Sequence, residues 1–248
     1  MPDLCSYGGG GTCGEPAWAE SPAGLCLGHS PNNGQDPAAA LRLWQYARQF
    51  SDRPSADFTG WHFPTDEEGF LGRTFQGPVS FARATFESPA RFLNVTFNDR
   101  VTFEETTFAG EARFRHVRFL KDASFALCLF RDAAEFGAAA FEGAAVFHDA
   151  RFRKTGSFGG VTFRGNADFK GASFRGRIVF EAAVFADNAG FDGVAFKSSA
   201  NFVRTRFGKY ASFEGTTFNG PPLFEAIELT MGKSAVLGLD HNIRQLLP

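Results

Sequence analysis

The chain has little of what most soluble domains use to fill a core. It contains 2 Met, 3 Trp and 3 Tyr in 248 residues, so the adaptable thioether and the amphipathic aromatics have almost no part in it. Cysteine is scarce and lopsided, with Cys5, Cys13 and Cys26 near the start and Cys128 alone. That excludes a disulfide scaffold spread through the chain. No apolar run approaches the roughly 18 residues of a membrane span. The opening "MPDLCSYGGGG" lacks the basic and apolar segments of a secretory signal, and a soluble cytoplasmic protein with no membrane partner is expected. An excess of one charge is missing too, with 25 Lys plus Arg against 27 Asp plus Glu. What is present in quantity is Phe, at 32 residues. One aromatic chosen so often marks one kind of site used many times.

From Phe70 through Phe75, Phe81, Phe86 and Phe92 to Phe224, with Leu229 closing the series, the gaps alternate five and six without a break. A period of eleven also suits a helical stripe. Helix is rejected because Gly recurs in nearly every unit, Thr and Val are frequent, and Pro78, Pro89, Pro221 and Pro222 fall where a helix would break. The rhythm also departs from flat-strand alternation, so each short extended stretch must turn a corner before the next inward Phe. The residue two before a Phe is nearly always small or β-branched, as at Ala84, Ala90, Val95, Val101, Thr106 and Ala112. Two steps along a strand return to the same face. A large and a small side chain therefore point inward together, and Cys128, at one of these positions, reads as a substitute for Ala.

The segments "FESPARFLNVTF", "FEGAAVFHDARF" and "FKGASFRGRIVF" resemble the Phe-centred variety of pentapeptide-repeat proteins. The resemblance covers about residues 56 to 229 and implies an all-β fold, a right-handed quadrilateral parallel β-helix with about four repeats per coil. This chain adds one residue to every second unit, which gives about 22 residues per coil in place of 20. Residues 70 to 229 would then form roughly seven coils, a rod near 35 Å long at about 4.8 Å per coil.

The ends read differently. Residues 36 to 55 are expected to form a capping helix and linker, with Asp36 as N-cap, Pro37 at the first helical position, and Leu41, Trp44 and Ala47 on one face. "ADFTGWHF" then supplies an irregular first coil around Phe58 and Phe63. Residues 230 to 248 suit either a C-terminal cap or a homodimer contact, and the resemblance implies pairing through such ends. In residues 1 to 35, Cys5, Cys13, Cys26 and His29 stand as C-x7-C-x12-C-x2-H. Three thiolates and an imidazole suit a closed tetrahedral structural Zn site, with "CLGH" forming a Gly-assisted turn between two ligands. A segment so rich in Gly, Pro and Ser would gain from a metal staple. The other reading is a disordered leader with incidental Cys.

Motifs for a nucleophile with its base, a phosphate-cradling loop or a metal hydrolase are absent, so no catalytic residue and no enzyme is expected. His116 and His148 fall at outward positions. At 22 residues per coil, Arg131, Arg153, Arg175 and Lys197 stack into one basic edge. It is either a solvated edge relieved by Asp132, Asp168 and Asp192, or a contact for an anion or a partner. Residues 70 to 229 carry 20 Lys plus Arg against 17 Asp plus Glu, while residues 1 to 69 carry 3 against 9. Some members of the resembled family mimic DNA and bind type II topoisomerases such as DNA gyrase, giving quinolone protection, but such mimicry needs a negative surface along the rod. The leading expectation is a non-enzymatic protein-interaction scaffold. Behind it stand DNA mimicry and nucleic-acid binding through the zinc module and the basic edge, the latter disfavoured because the module is acidic.

Overall fold

A computed structural model describes residue 26, residues 28–30, 37–65, 69–239 and 241–245, and residue 247. Asp36, the expected N-cap, lies outside the described residues. Two-residue strands recur through the chain and stack in four parallel sheets, so the body is a four-sided parallel β-solenoid. A coil crosses the faces in turn. Face 1 runs from Ala56–Asp57 through Val79–Ser80 to Val236–Leu237, and face 2 from His62–Phe63 through Thr85–Phe86 to Thr217–Phe218. Face 3 runs from Ala90–Arg91 to Ala200–Asn201, and face 4 from Thr74–Phe75 to Glu228–Leu229.

Register is fixed at 22 residues for nearly every pair, as in Phe119↔Phe141 and Phe130↔Phe152. Face 1 holds 9 strands, hence eight steps and about 38 Å at 4.8 Å each. The rod is thus about eight coils long, one more than the rhythm from Phe70 gives. Ala56–Asp57 pairs with Val79–Ser80 at the start, and Val236–Leu237 pairs with Ala211–Ser212 at the end. Parallel pairing therefore continues past residue 229, to Val236–Leu237.

The extra residue of the eleven-residue unit resolves into two kinds of corner. After a face 1 or face 3 strand the chain makes a four-residue turn closed by a hydrogen bond, as from Ala84 N to Phe81 O at 3.0 Å. Its third residue has positive φ, for example Arg83 at 57°, Glu105 at 58° and Gly160 at 65°, which is type II turn geometry. After a face 2 or face 4 strand, three residues make an open bend, as at 87–89.

Inside, the Phe rings form four ladders. Rings one coil apart lie nearly parallel, with Phe103 and Phe125 at 4.7 Å and 8°, and Phe136 and Phe158 at 4.7 Å and 3°. Rings within a coil meet edge to face, as do Phe114 and Phe125 at 5.3 Å and 88°. Both arrangements suit the ring quadrupole. Through the regular coils the small residues two before the Phe, such as Ala84, Val95, Ala112 and Ala134, are buried beside them. Where this position is polar, the side chain satisfies a carbonyl: Thr106 Oγ1 donates to Phe81 O at 2.6 Å and Thr205 Oγ1 to Phe180 O at 2.8 Å.

Helix α1, Pro37–Arg48, closes the N-terminal end. Its buried residues are Ala39, Leu43, Trp44 and Ala47, followed by Phe50. Leu41, expected on that face, is instead exposed, because the helix is rotated to lay Trp44 over the first rings. Trp44 sits 5.1 Å from Phe63 and 5.3 Å from Phe70, and its indole N–H donates to Pro64 O at 3.1 Å. At the other end Ala235, Val236, Leu239 and Leu247 are buried, so the tail caps the last coil. Leu223, Met231 and Leu237 stay exposed around it. Among the described residues no helix is long and apolar enough to cross a membrane.

Candidate functional site

Of the four predicted metal ligands, Cys5 and Cys13 lie outside the described residues. Cys26 and His29 are brought together and buried, with Cys26 Sγ 3.1 Å from His29 Nδ1. The turn that joins them has the amides of His29 and Ser30 both reaching Cys26 O at 3.1 Å. The other ring nitrogen, His29 Nε2, lies 2.7 Å from Thr59 O, which places its proton there and turns Nδ1 towards the thiol. Burial pushes the His29 pKa below its ordinary value, and the hydrogen bond to Thr59 opposes the shift only in part. The turn docks on the first coil, since His62 N donates to Gly28 O at 2.7 Å. Gly28 serves packing here: a Cβ at that position would meet the Trp61 ring at 2.3 Å. Among the described residues no group of three His, Cys, Asp or Glu could hold a metal, so any site needs ligands from further along the N-terminal segment.

The second candidate lies on face 2. Its strands put Arg131, Arg153, Arg175 and Lys197 at equivalent positions on consecutive rungs, one residue after Phe130, Phe152, Phe174 and Phe196. All four side chains are exposed. Three of them, Arg153, Arg175 and Lys197, line a shared concavity of about 240 Å³ with Arg151, Phe152 and Ser173. Arg131 stacks on the next rung but does not line it. Arg151 is the basic residue that reading a single column misses. It is the outward residue of the strand Arg151–Phe152, and Arg153 follows in the bend; "RFR" carries the period-two signal that finds it.

Among the described residues no acid forms an ion pair with the column. Asp132 Oδ1 accepts the Ala133 amide at 2.8 Å, Asp168 Oδ1 the Lys170 amide at 2.8 Å, and Asp192 Oδ1 the Glu214 amide at 3.0 Å. The three carboxylates expected to relieve the edge hold backbone amides through one oxygen each and act on the cations only through their charge, without direct contact. Elsewhere on the rod, basic residues meet acids one coil away: Arg164 with Glu142 at 2.9 Å, Arg206 with Glu228 at 2.6 Å and Lys209 with Asp187 at 2.9 Å. On face 2 a basic residue meets another basic residue. At about 4.8 Å, neighbouring like charges repel by roughly the thermal energy even in water.

The pentapeptide-repeat profile, described as "Pentapeptide repeats (9 copies)", matches residues 70–118, 158–202 and 180–226. Those stretches of the rod are pentapeptide repeats. A comparison with curated proteins finds no match. Among solved structures the chain is similar to HetL, a pentapeptide repeat protein involved in heterocyst differentiation regulation from the cyanobacterium Nostoc sp. strain PCC 7120. Sequence identity is 15%, with 72% of this chain and 87% of that one covered. The TM-score of 0.18 supports no conclusion about shared shape.

Within this pentapeptide-repeat rod the remaining reactive side chains have structural surroundings. Cys128 is fully buried, its Sγ donates to Phe103 O at 2.8 Å, and burial pushes its pKa well above the ordinary thiol value. It replaces Ala in the small-residue column as the pattern indicates. His116 is exposed at a corner with φ 58°, and His148 points outward and pairs with Asp149 at 3.0 Å. Faces 1 and 2 differ in character. Face 1 presents Ser80, Thr102, Ser124 and Val146 along an open groove of about 490 Å³, whereas face 2 presents cations.

Proposed function

We propose that this pentapeptide-repeat protein is a non-enzymatic scaffold that presents register-locked columns of outward side chains to a protein partner, with a zinc-stapled N-terminal module. The observation that supports the scaffold reading is the division of labour in each unit. Phe and the small residue two before it fill the axis, and the intervening positions form straight ladders with a 22-residue period. A rigid rod of this kind holds contact groups at fixed spacing without ordering on binding, which favours recognition of extended partners. The mimicry alternative finds less support, since residues 70 to 229 carry more Lys plus Arg than Asp plus Glu and a mimic needs the opposite sign.

A photocrosslinking residue placed at Thr102 or Ser124 on face 1, and separately at Thr162 on face 4, tests the scaffold in cells. A discrete crosslinked species from one face and not the other is expected, and no crosslink from any face overturns the reading. Inhibition of gyrase supercoiling by the purified protein would favour mimicry instead.

For the module, Cys5, Cys13, Cys26 and His29 are assigned to one structural Zn. The support is the donor chemistry: a buried thiol against an imidazole nitrogen whose partner nitrogen is held by a carbonyl, the outer-sphere arrangement metal-bound His normally has. One mole of zinc per chain in purified protein is expected, lost with Cys26→Ser, and its absence from metal analysis removes the assignment. The C-terminal end, with Leu223, Met231 and Leu237 exposed beside the last strands, is proposed as a contact between two copies. Light scattering is expected to give twice the chain mass, reduced to one by Met231→Glu with Leu237→Glu.

A further inference from the structure

The concavity on face 2 carries an inference that goes beyond the scaffold reading and stands without it. Its lining is Arg151, Arg153, Ser173, Arg175 and Lys197 over the buried ring of Phe152. These outward groups comprise three guanidiniums, one ammonium and one hydroxyl, a set almost entirely of donors. No carboxylate lines it, and among the described residues no acid pairs with any of its cations. Arg151 lies on the strand and Arg153 in the bend that follows it, two positions on, and Arg175 and Lys197 follow Arg153 on the next two rungs, about 4.8 Å per step. The small Ser173, on the rung between Arg151 and Ala195, leaves the notch that the longer side chains surround.

We propose that this notch binds an oligophosphate, two or more linked phosphate groups laid along the rod across Arg153, Arg175 and Lys197, with Arg151 closing the side. Phosphate is favoured over carboxylate because guanidinium forks match its oxygens two at a time, and its acceptors point in every direction the donors come from. A carboxylate offers one planar edge. Linked groups are favoured over a single one because the cations extend over two rungs, about 9.6 Å, more than one phosphate spans. A nucleic-acid strand fits less well: the lining aromatic, Phe152, is buried, so no exposed ring there can stack a base.

The test is calorimetric titration of the full chain at low ionic strength with inorganic triphosphate, orthophosphate, an oligoglutamate and a single-stranded oligonucleotide. The expected result is saturable triphosphate binding at one site, at least about tenfold tighter than orthophosphate, and weakened at least about tenfold by Arg153→Glu with Arg175→Glu. Arg118→Glu, on face 4, leaves it unchanged, and added salt weakens it. If the double variant loses the circular dichroism of the parent, Arg175→Gln alone reads the same contact through a smaller loss. The proposal is overturned if triphosphate shows no saturable binding, if affinity survives the face 2 substitutions, or if the oligonucleotide or the oligoglutamate binds more tightly than triphosphate.

Discussion

Replacing one ring in the middle of a ladder measures how the rod is held together. Phe147 is fully buried between Phe125 at 4.9 Å and Phe169 at 4.8 Å, both within 4° of parallel. It also meets Phe136 at 5.4 Å and Phe158 at 5.3 Å edge to face. Phe→Ala in a core costs about 3–5 kcal/mol, the spread depending on how far the surroundings collapse into the void. Collapse is blocked here. The backbone above and below is tied rung to rung, with Phe147 N bonded to Asp168 O at 2.6 Å and Phe125 N to Val146 O at 2.6 Å. Phe147→Ala is therefore expected near the upper end, about 5 kcal/mol. Phe218, partly buried near the last coil with Phe196 as its parallel partner at 4.9 Å, should lose roughly half as much when truncated. Phe147→Leu, which keeps most of the volume but forfeits the ring contacts, should cost about 1–2 kcal/mol. Denaturant unfolding followed by circular dichroism, with the slope checked for constancy, gives all three values. A loss below about 2 kcal/mol for Phe147→Ala, or equal losses at 147 and 218, would refute the account of a rigid ladder with weaker ends.

Three further outcomes follow from the same geometry. Positions 138 and 160 are equivalent turn residues one coil apart, Ala138 with φ 55° and Gly160 with φ 65°, and a Cβ on Gly160 would meet nothing within 4 Å; Gly160→Ala is expected to destabilise by about 1 kcal/mol and Ala138→Gly not to destabilise, since backbone conformation alone differs. Gly28→Ala should drive a methyl into the Trp61 ring and cost about 1–3 kcal/mol of N-terminal docking, seen as earlier proteolysis of the N-terminal segment with the solenoid intact; unchanged proteolysis would contradict the packing described. Cys128, with its thiol buried and its pKa raised, should resist alkylation in native protein at neutral pH and react only on unfolding, as peptide mapping of the labelled chain will show.

The architecture was legible because a narrow tube asks the same question at every step. Phe81, Phe103 and Phe125 face one environment, so a single residue type recurs and the period is visible by eye. The corners were not legible. Positive φ recurs every eleven residues, yet it is carried by Arg83, Asn94, Glu105, His116, Leu127 and Ala138 among others, with Gly at 72, 160, 171, 193 and 215 of that series. A non-Gly residue there costs about 1–2 kcal/mol, a strain the inter-coil hydrogen bonds hold in place, so glycine is not required and its signal is diluted. Leu41 was misplaced for a related reason. Helical spacing allows several apolar stripes on α1, and what selects among them is the fit of Trp44 over Phe63 and Phe70, a tertiary contact. At the candidate site, three of the four basic residues were found from the 22-residue period. Arg151 was missed because one column was followed and not the face.

The same division between axis and surface changes how charge should be weighed. Each unit is constrained at two positions, and the others vary without disturbing the core, so each face can carry its own character while the sum over the rod stays near neutral. Face 2 stacks Arg131, Arg153, Arg175 and Lys197 on consecutive rungs, whereas the outward strand positions of face 1 carry Asp57 and Asp168 and no basic residue at all. Those two acids are five rungs apart, about 24 Å. On the described strands of the four faces no two acids follow one another up a column, and off the strands Asp192 and Glu214 share one corner position a coil apart, two acids against four stacked cations. The case against DNA mimicry is therefore stronger than a small positive total makes it. A rod could be positive overall and still present one phosphate-like ladder of carboxylates, but here the longer ladder is of the opposite sign, placed to receive phosphates and not to imitate them.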